Sequence, residues 1–522
     1  MEKIFNKLIG NIKDIYYETI SDVKVKAALL TFVSGFFIHL FSLVNILHNY
    51  DDITYFGTRY GTGMESGRWA LTYIGDIFGK IWGWPNASYL HGIVFIFLIA
   101  VSAWFIMDIF RIKKLSIGLL IGLVLVTFPS TVSTLFFKYT AVYYGLAILL
   151  SVGAVWILEK SRFGWFFSIW CIAVALGIYQ AYLPLTISLM IVLLMFKIIK
   201  EGKNFADILK IGLYYCVILI GGVILYFGIL KLSLYVFNTE LLDYQGVSDM
   251  GNISIASIFP MIIKAVKECL NMPFNNYCNL APNNILKIGY ILLFVISFAL
   301  MIFTVFINNR EAYIGRMLML LLLLVFFPLA VNFIVIMCPN SWIYTLMVFN
   351  FVVLLLLPVI LYECVDEKWK LGNILRKAAL VIVIVMMCNY AYIANVNYQT
   401  MYFTDRQTEN YFSSMLTQVR MTDGYKSSMP WAFIGNNITD PSFKNFAANN
   451  LMYGGNDVEY VNAYSRISWF RAYQGFDIKL VADIEKAILY KNEDVKNMPC
   501  YPDNGSIKII DGIVVIKLEN VI

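Results

Sequence analysis

Long apolar runs alternate with short polar interruptions through the first three-quarters of the chain. Runs of roughly 20 apolar residues match the hydrocarbon thickness of a bilayer. Eleven such runs can be read, at 27–47, 88–110, 115–137, 140–158, 163–179, 181–197, 207–230, 286–308, 317–337, 341–362 and 378–396. The fifth and sixth are joined only by the turn near Tyr179-Gln180-Ala181-Tyr182. The pattern then changes. From 397 to 522, MPWAFIGNN reads as a strand running into a turn, DIKLVADIEKAILY as an amphipathic helix, and IKIIDGIVVIKL as a β-hairpin about Asp511-Gly512. Asp-Gly suits that turn because both residues tolerate positive φ. The fold class expected is an all-α polytopic membrane protein with a small C-terminal α/β domain. Its membrane domain spans 1–396, with outer loops at 48–87 and 231–285, and its second domain 397–522.

Composition agrees with the pattern. The 522 residues are 60% hydrophobic and 14% charged, against about 25% charged in soluble domains. The first 25 residues lack the continuous apolar core and small-residue cleavage site of a signal peptide, and read as an amphipathic lead-in. Basic residues then give an orientation. Lys3 to Lys26, RIKK (111–114), EKSR (159–162), the loop 197–210, NNREAYIGR (308–316) and DEKWKLGNILRK (366–377) all fall on the N-terminal side if the runs alternate. The positive-inside bias puts that side in the cytoplasm and the C-terminal domain outside. Frequent Lys, Ile, Asn and Tyr suggest an AT-rich bacterial genome without fixing the envelope type; the location expected for the multi-pass chain is the bacterial cell (inner or plasma) membrane.

Candidate chemistry concentrates outside. Span centres hold essentially no carboxylates, with Asp108 and Glu363 near span ends, which weighs against ion-coupled transport. Asp51 and Asp52 follow the first run. They read either as a helix-ending turn or as a general base, since a sugar hydroxyl needs a carboxylate to take its proton during attack. Arg59, Glu65 and Arg68 lie in the Gly-rich run GTRYGTGMESGRW, where arginine offers a planar fork for phosphate oxygens. The bland alternative is a surface loop with Arg68 at lipid headgroups and Trp69 as an interfacial anchor, as for Trp82 and Trp84. Lys138 reads as a phosphate ligand or a snorkelling side chain. Gln180 reads as a pocket residue or a satisfied turn residue, and His39 as a buried, hydrogen-bonded histidine. Asp243, Tyr244, Asp249, Lys264 and Lys267 have no diagnostic spacing. The eight cysteines form no CxxC, and Cys269 and Cys278 could pair or stay free. No metal site or cofactor is indicated, although a divalent cation is compatible with the pattern. Nothing resembles a nucleotide-phosphate loop, which favours a lipid-borne donor.

NYDDI (49–53), SGRW (66–69) and GIYQAYL (177–183), in that order and with this topology, resemble the Gtr type II glucosyltransferases. The layout also resembles the broader GT-C superfamily. The resemblance implies transfer of a sugar, typically glucose, from a polyprenyl-phosphate carrier to a cell-surface glycan such as O-antigen, with inversion. It implies an acidic catalyst in the first outer loop, which falls on Asp51 or Asp52. Arg68 becomes a candidate for the donor phosphate and Gln180 for the pocket. The second outer loop, KYTAVYY, departs from some relatives in lacking a carboxylate. A lipid-linked sugar flippase or exporter, and a glycan polymerase, are the alternatives.

Overall fold

The computed structural model describes residues 22–55, 63–84, 87–242, 255–308, 313–338, 341–366, 368–436, 453 and 463–520. The chain divides into two compact units. One takes Met1–Val44 and Thr58–Asn395, the other Asn45–Gly57 and Val396–Ile522.

The first unit is helical. Among the described residues, seven helices are long and apolar enough to cross a membrane: Ser88–Ile109, Lys138–Lys160, Gln180–Ile199, Phe205–Phe237, Asn284–Ile307, Tyr313–Val331 and Lys370–Met421. Leu115–Thr127, Gly164–Ile178 and Thr345–Leu361 are shorter apolar helices. In hydrocarbon an unpaired backbone amide has no water to turn to, so apolar segments close their hydrogen bonds within a helix. The helix Phe205–Phe237 leaves Val217, Ile220 and Ile224 exposed, a surface suited to lipid and costly in water.

Several apolar runs are not single helices. The run 27–47 breaks into Val23–Ile38 and Leu40–Val44 at His39, whose buried Nε2 lies 2.8 Å from the Val126 carbonyl oxygen. The run 115–137 breaks before Pro129, where Phe128 is extended (ψ 141°), because a residue preceding proline is sterically pushed out of the α region. The run 341–362 begins as a 3₁₀ helix, Thr345–Val352, and continues as Val353–Leu361. The last run does not stop at 396: Lys370–Met421 is one helix of 52 residues. Close approach holds the pieces together. Gly122 sits against the Thr31 side chain, where a Cβ would overlap Oγ1, so Val23–Ile38 and Leu115–Thr127 touch nearly backbone to backbone. Asp108 is paired with Lys24 (2.5 Å) and Lys160 (2.7 Å) and accepts from the Trp156 indole (2.8 Å).

The second unit contains a three-stranded sheet of order β1-β3-β2. β1 (Trp431–Ile434) runs parallel to β3 (Ile513–Lys517), and β2 (Ile507–Ile510) antiparallel to it. The β2–β3 hairpin turns at Asp511 (φ 50°) and Gly512 (φ 76°), as the Asp-Gly pair requires. Ala432, Ile434, Leu489, Val495, Met498 and Val515 form its core. Leu489 comes from the amphipathic helix Asp483–Lys491, and Trp431 packs on Phe470 of the helix Arg466–Gln474.

Candidate functional site

In the first unit a glycine turn brings Arg68, Trp69 and Gln180 together. Met64–Ser66 forms a short 3₁₀ turn that ends at Gly67 (φ 75°), a left-handed position that a side chain would strain. Arg68 follows as N-cap of the helix Trp69–Trp82. Its guanidinium carbon lies 4.8 Å from the centroid of the Tyr179 ring, a cation–π distance. Tyr179 in turn stacks on Tyr144 at 4.6 Å and 9°. Next to it Gln180 is buried, and its Nε2 donates to the Ser66 carbonyl (3.0 Å) and to the Tyr226 hydroxyl (3.1 Å). Tyr226 donates to the Gly67 carbonyl (3.1 Å). Two carbonyls of the turn are therefore held from behind, so Gln180 sets the position of the backbone that carries Arg68. Trp69 is buried rather than interfacial. Its indole fills the space over Gly177, whose Cβ would stand 2.6 Å from Trp69 Cε2.

The second unit holds the two aspartates. Asn49 caps the short helix Tyr50–Thr54 by accepting from the Asp51 and Asp52 amides, each at 2.8 Å. Asp52 is buried, 3% exposed, whereas Asp51 is half-buried. Tyr464 is pushed above the usual phenol range by burial first, then by its hydrogen bond with Tyr55 and the charge of Asp51. Beside the pair, His48 Nδ1 lies 2.9 Å from the Tyr473 hydroxyl, and its backbone amide donates to Asp405 Oδ2 at 3.0 Å. Tyr473 stacks on Trp469 at 4.9 Å. Burial, and then the charges of Asp405 and Glu409, raise the Tyr473 pKa.

The sequence profile of one family, described as Glucosyl transferase GtrII, matches residues 40–355. The match covers more than half the chain. The protein belongs to the GtrII glucosyltransferase family. No curated protein and no solved structure matches it. With its apolar helices, this GtrII chain is a membrane glucosyltransferase. The matched stretch includes the Asp51-Asp52 turn, Arg68, Lys138 and Gln180, and it ends before the helix Lys370–Met421.

The remaining candidates of this GtrII protein differ in burial or lie outside the described residues. Arg59, Asp243, Tyr244 and Asp249 lie outside the described residues. Glu65 is exposed, and its carbonyl accepts from the Leu242 amide at 2.9 Å. Lys138 does not snorkel. It is 1% exposed, and its Nζ donates to the Ser42 carbonyl at 2.6 Å, which ties the start of the helix Lys138–Lys160 to the end of Leu40–Val44. Trp82 and Trp84 are exposed. Cys269 and Cys278 are both free thiols. Four groups escaped sequence reasoning. His48, Asp405 and Tyr473 meet only through long-range folding, and no local motif marks them. Glu268 lies on the helix Ile255–Asn275, on the same stripe as the buried Met261, Ala265 and Met272. Its Oε2 is buried without a hydrogen-bond partner among the described residues. The i, i+4, i+7, i+11 spacing of that stripe was the available signal.

Proposed function

We propose that the protein transfers glucose from a polyprenyl-phosphate carrier to a cell-surface glycan, inverting the anomeric centre, with Asp51 as general base. The family match over residues 40–355 carries the reading. The carboxylate accepts the proton of an acceptor hydroxyl as its oxygen bonds to C1. The bond from C1 to the phosphate oxygen breaks, and the lipid phosphate leaves with the electron pair. A phosphate monoester is a weakly basic leaving group, so its charge needs stabilisation more than protonation. Arg68 has that role: its planar cation is supported on an aromatic stack. Asp51 is preferred to Asp52 because a base must meet its substrate, and Asp51 alone of the two keeps appreciable exposure. An apolar cavity of about 280 Å³ lined by Cys269, Met272, Tyr290, Phe294, Phe327 and Leu357 supports a lipid-borne donor. The reading includes a GT-C-type fold with eleven spans in a bacterial membrane, the N-terminus cytoplasmic and the C-terminal domain outside, and the positive-inside bias of the loops supports that orientation.

The test is transfer from radiolabelled polyprenyl-phosphate glucose to a total surface-glycan extract by wild type, Asp51→Asn, Asp52→Asn and Arg68→Gln. Loss of at least about a hundredfold in kcat for Asp51→Asn, the range of general-base removal, with donor binding kept, supports the reading. Wild-type activity in Asp51→Asn removes the base. Labelled lipid crossing liposome bilayers with no transfer at all replaces the enzyme with a flippase.

A further inference from the structure

The helix Arg466–Gln474 carries two arginines in opposite circumstances. Arg471 is exposed and holds Asp477 through both Nε (3.1 Å) and Nη2 (2.8 Å). Arg466, only 3% exposed, has no carboxylate paired with it among the described residues. Its Nη2 reaches the Asn436 carbonyl at 3.3 Å, a long hydrogen bond, and its Nε is buried with no hydrogen-bond partner among the described residues. The flat face of the guanidinium lies on Phe433, with Cζ 4.3 Å from the ring centroid. Burial pulls its pKa down to about 10, and the groups acting the other way are the hydroxyls of Tyr411 and Tyr490. A guanidinium stays charged under any physiological condition. Enclosing that charge without an anion is unfavourable, because its desolvation is not offset by a counter-charge.

Three features complete the surroundings. Arg466 is the first residue of its helix, whose N-cap Ser465 makes no side-chain capping bond, so the positive end of the helix dipole adds to its charge. The ring of Phe433 occupies the guanidinium's face and leaves its donor edge for a ligand in plane. That edge, Nε with an Nη, matches two oxygens of a phosphate or a carboxylate.

We propose that Arg466 is the anchor of an oxyanion site in the C-terminal unit, which takes a phosphate or carboxylate group borne by the surface glycan. The glycan as source rests on the transferase reading; the site itself does not. The anion reaches the buried edge of Arg466 by local opening of its own helix, Arg466–Gln474, and holds that helix in place once bound.

Hydrogen–deuterium exchange of the full-length protein in detergent tests the site without any transfer reaction. Wild type, Arg466→Met and Arg466→Lys are compared in inorganic phosphate, in glucuronate and in chloride of equal ionic strength. At a ligand concentration ten times Kd, local opening of residues 463–476 falls about tenfold. Phosphate or glucuronate should produce that slowing in wild type, and the more effective of the two identifies the source group. Arg466→Met, of similar length and uncharged, should lose the response while exchanging no faster than wild type in chloride, because it removes a buried charge that lacked a partner. Arg466→Lys, which keeps the charge but not the fork, should respond more weakly. Faster exchange of Arg466→Met in chloride would show a guanidinium already satisfied by the chain and overturn the proposal. Equal slowing by all three salts, or by none, would overturn it as well. Because no transfer is read, a failed anion site and a failed glucosyl transfer are separate results.

Discussion

Gly177→Ala probes how the Arg68 turn is held. Gly177 is the penultimate residue of the helix Gly164–Ile178, and the Trp69 indole lies directly over it. An added Cβ would stand 2.6 Å from Trp69 Cε2 and 2.9 Å from both Cζ2 and Nε1. Carbon pairs are at rest near 3.5–4.0 Å, so the indole or the helix must shift by about 1 Å. Overpacking of this kind costs about 1–3 kcal/mol. The shift has a functional consequence because Trp69 is the residue after Arg68: moving the indole moves the guanidinium off Tyr179. Trp69→Phe should relieve the clash by removing the crowding edge of the ring. It should cost little in polar terms, since Trp69 Nε1 is buried with no hydrogen-bond partner among the described residues. Thermal unfolding of wild type, the two single variants and the double variant in one detergent forms a double-mutant cycle. The double variant should recover about 1–2 kcal/mol relative to the sum of the singles, within the range for residues in contact. In the transfer assay Gly177→Ala should raise the donor KM more than the acceptor KM. Additive losses, agreeing within about 0.5 kcal/mol, would refute the contact.

Gln180→Met should lower stability by about 2–4 kcal/mol, the loss of two neutral hydrogen bonds plus a buried carbonyl left without its donor. Tyr226→Phe added to it should cost clearly less than it does alone, which the same unfolding measurement reads. Lys138→Met should destabilise by about 1–3 kcal/mol, because the Ser42 carbonyl loses a charged donor in a buried place; a phosphate-binding role for Lys138 would instead raise the donor KM with stability unchanged. Gly512→Ala, at φ 76°, should cost about 1 kcal/mol through left-handed strain and leave kcat of the folded protein unchanged, as chemical denaturation and the radiolabel assay would show.

The sequence by itself determined the elements whose cause is local. Apolar length sets the membrane helices, because hydrocarbon leaves a backbone no partner outside its own helix. Asp511-Gly512 sets the hairpin, because only certain residues tolerate two positive φ values in succession. Asp51, Asp52, Arg68 and Gln180 could be named as candidates because short motifs carry them. Where the apolar runs break was less legible: Pro129 announces one break, but His39 sits in an unbroken apolar stretch and ends its helix without a helix-breaking residue. Burial was legible at His39, read as a buried histidine and found so, but not at Trp69 or Lys138. Trp69 and Lys138 look like residues for the membrane surface, yet packing against Gly177 and the Ser42 carbonyl encloses both. Only the tertiary structure grouped the Asp51 turn with residues beyond 396, and only it set Gln180 behind the turn that carries Arg68. Such contacts join positions more than a hundred residues apart, and a pattern read over one or two helical turns has no term for them.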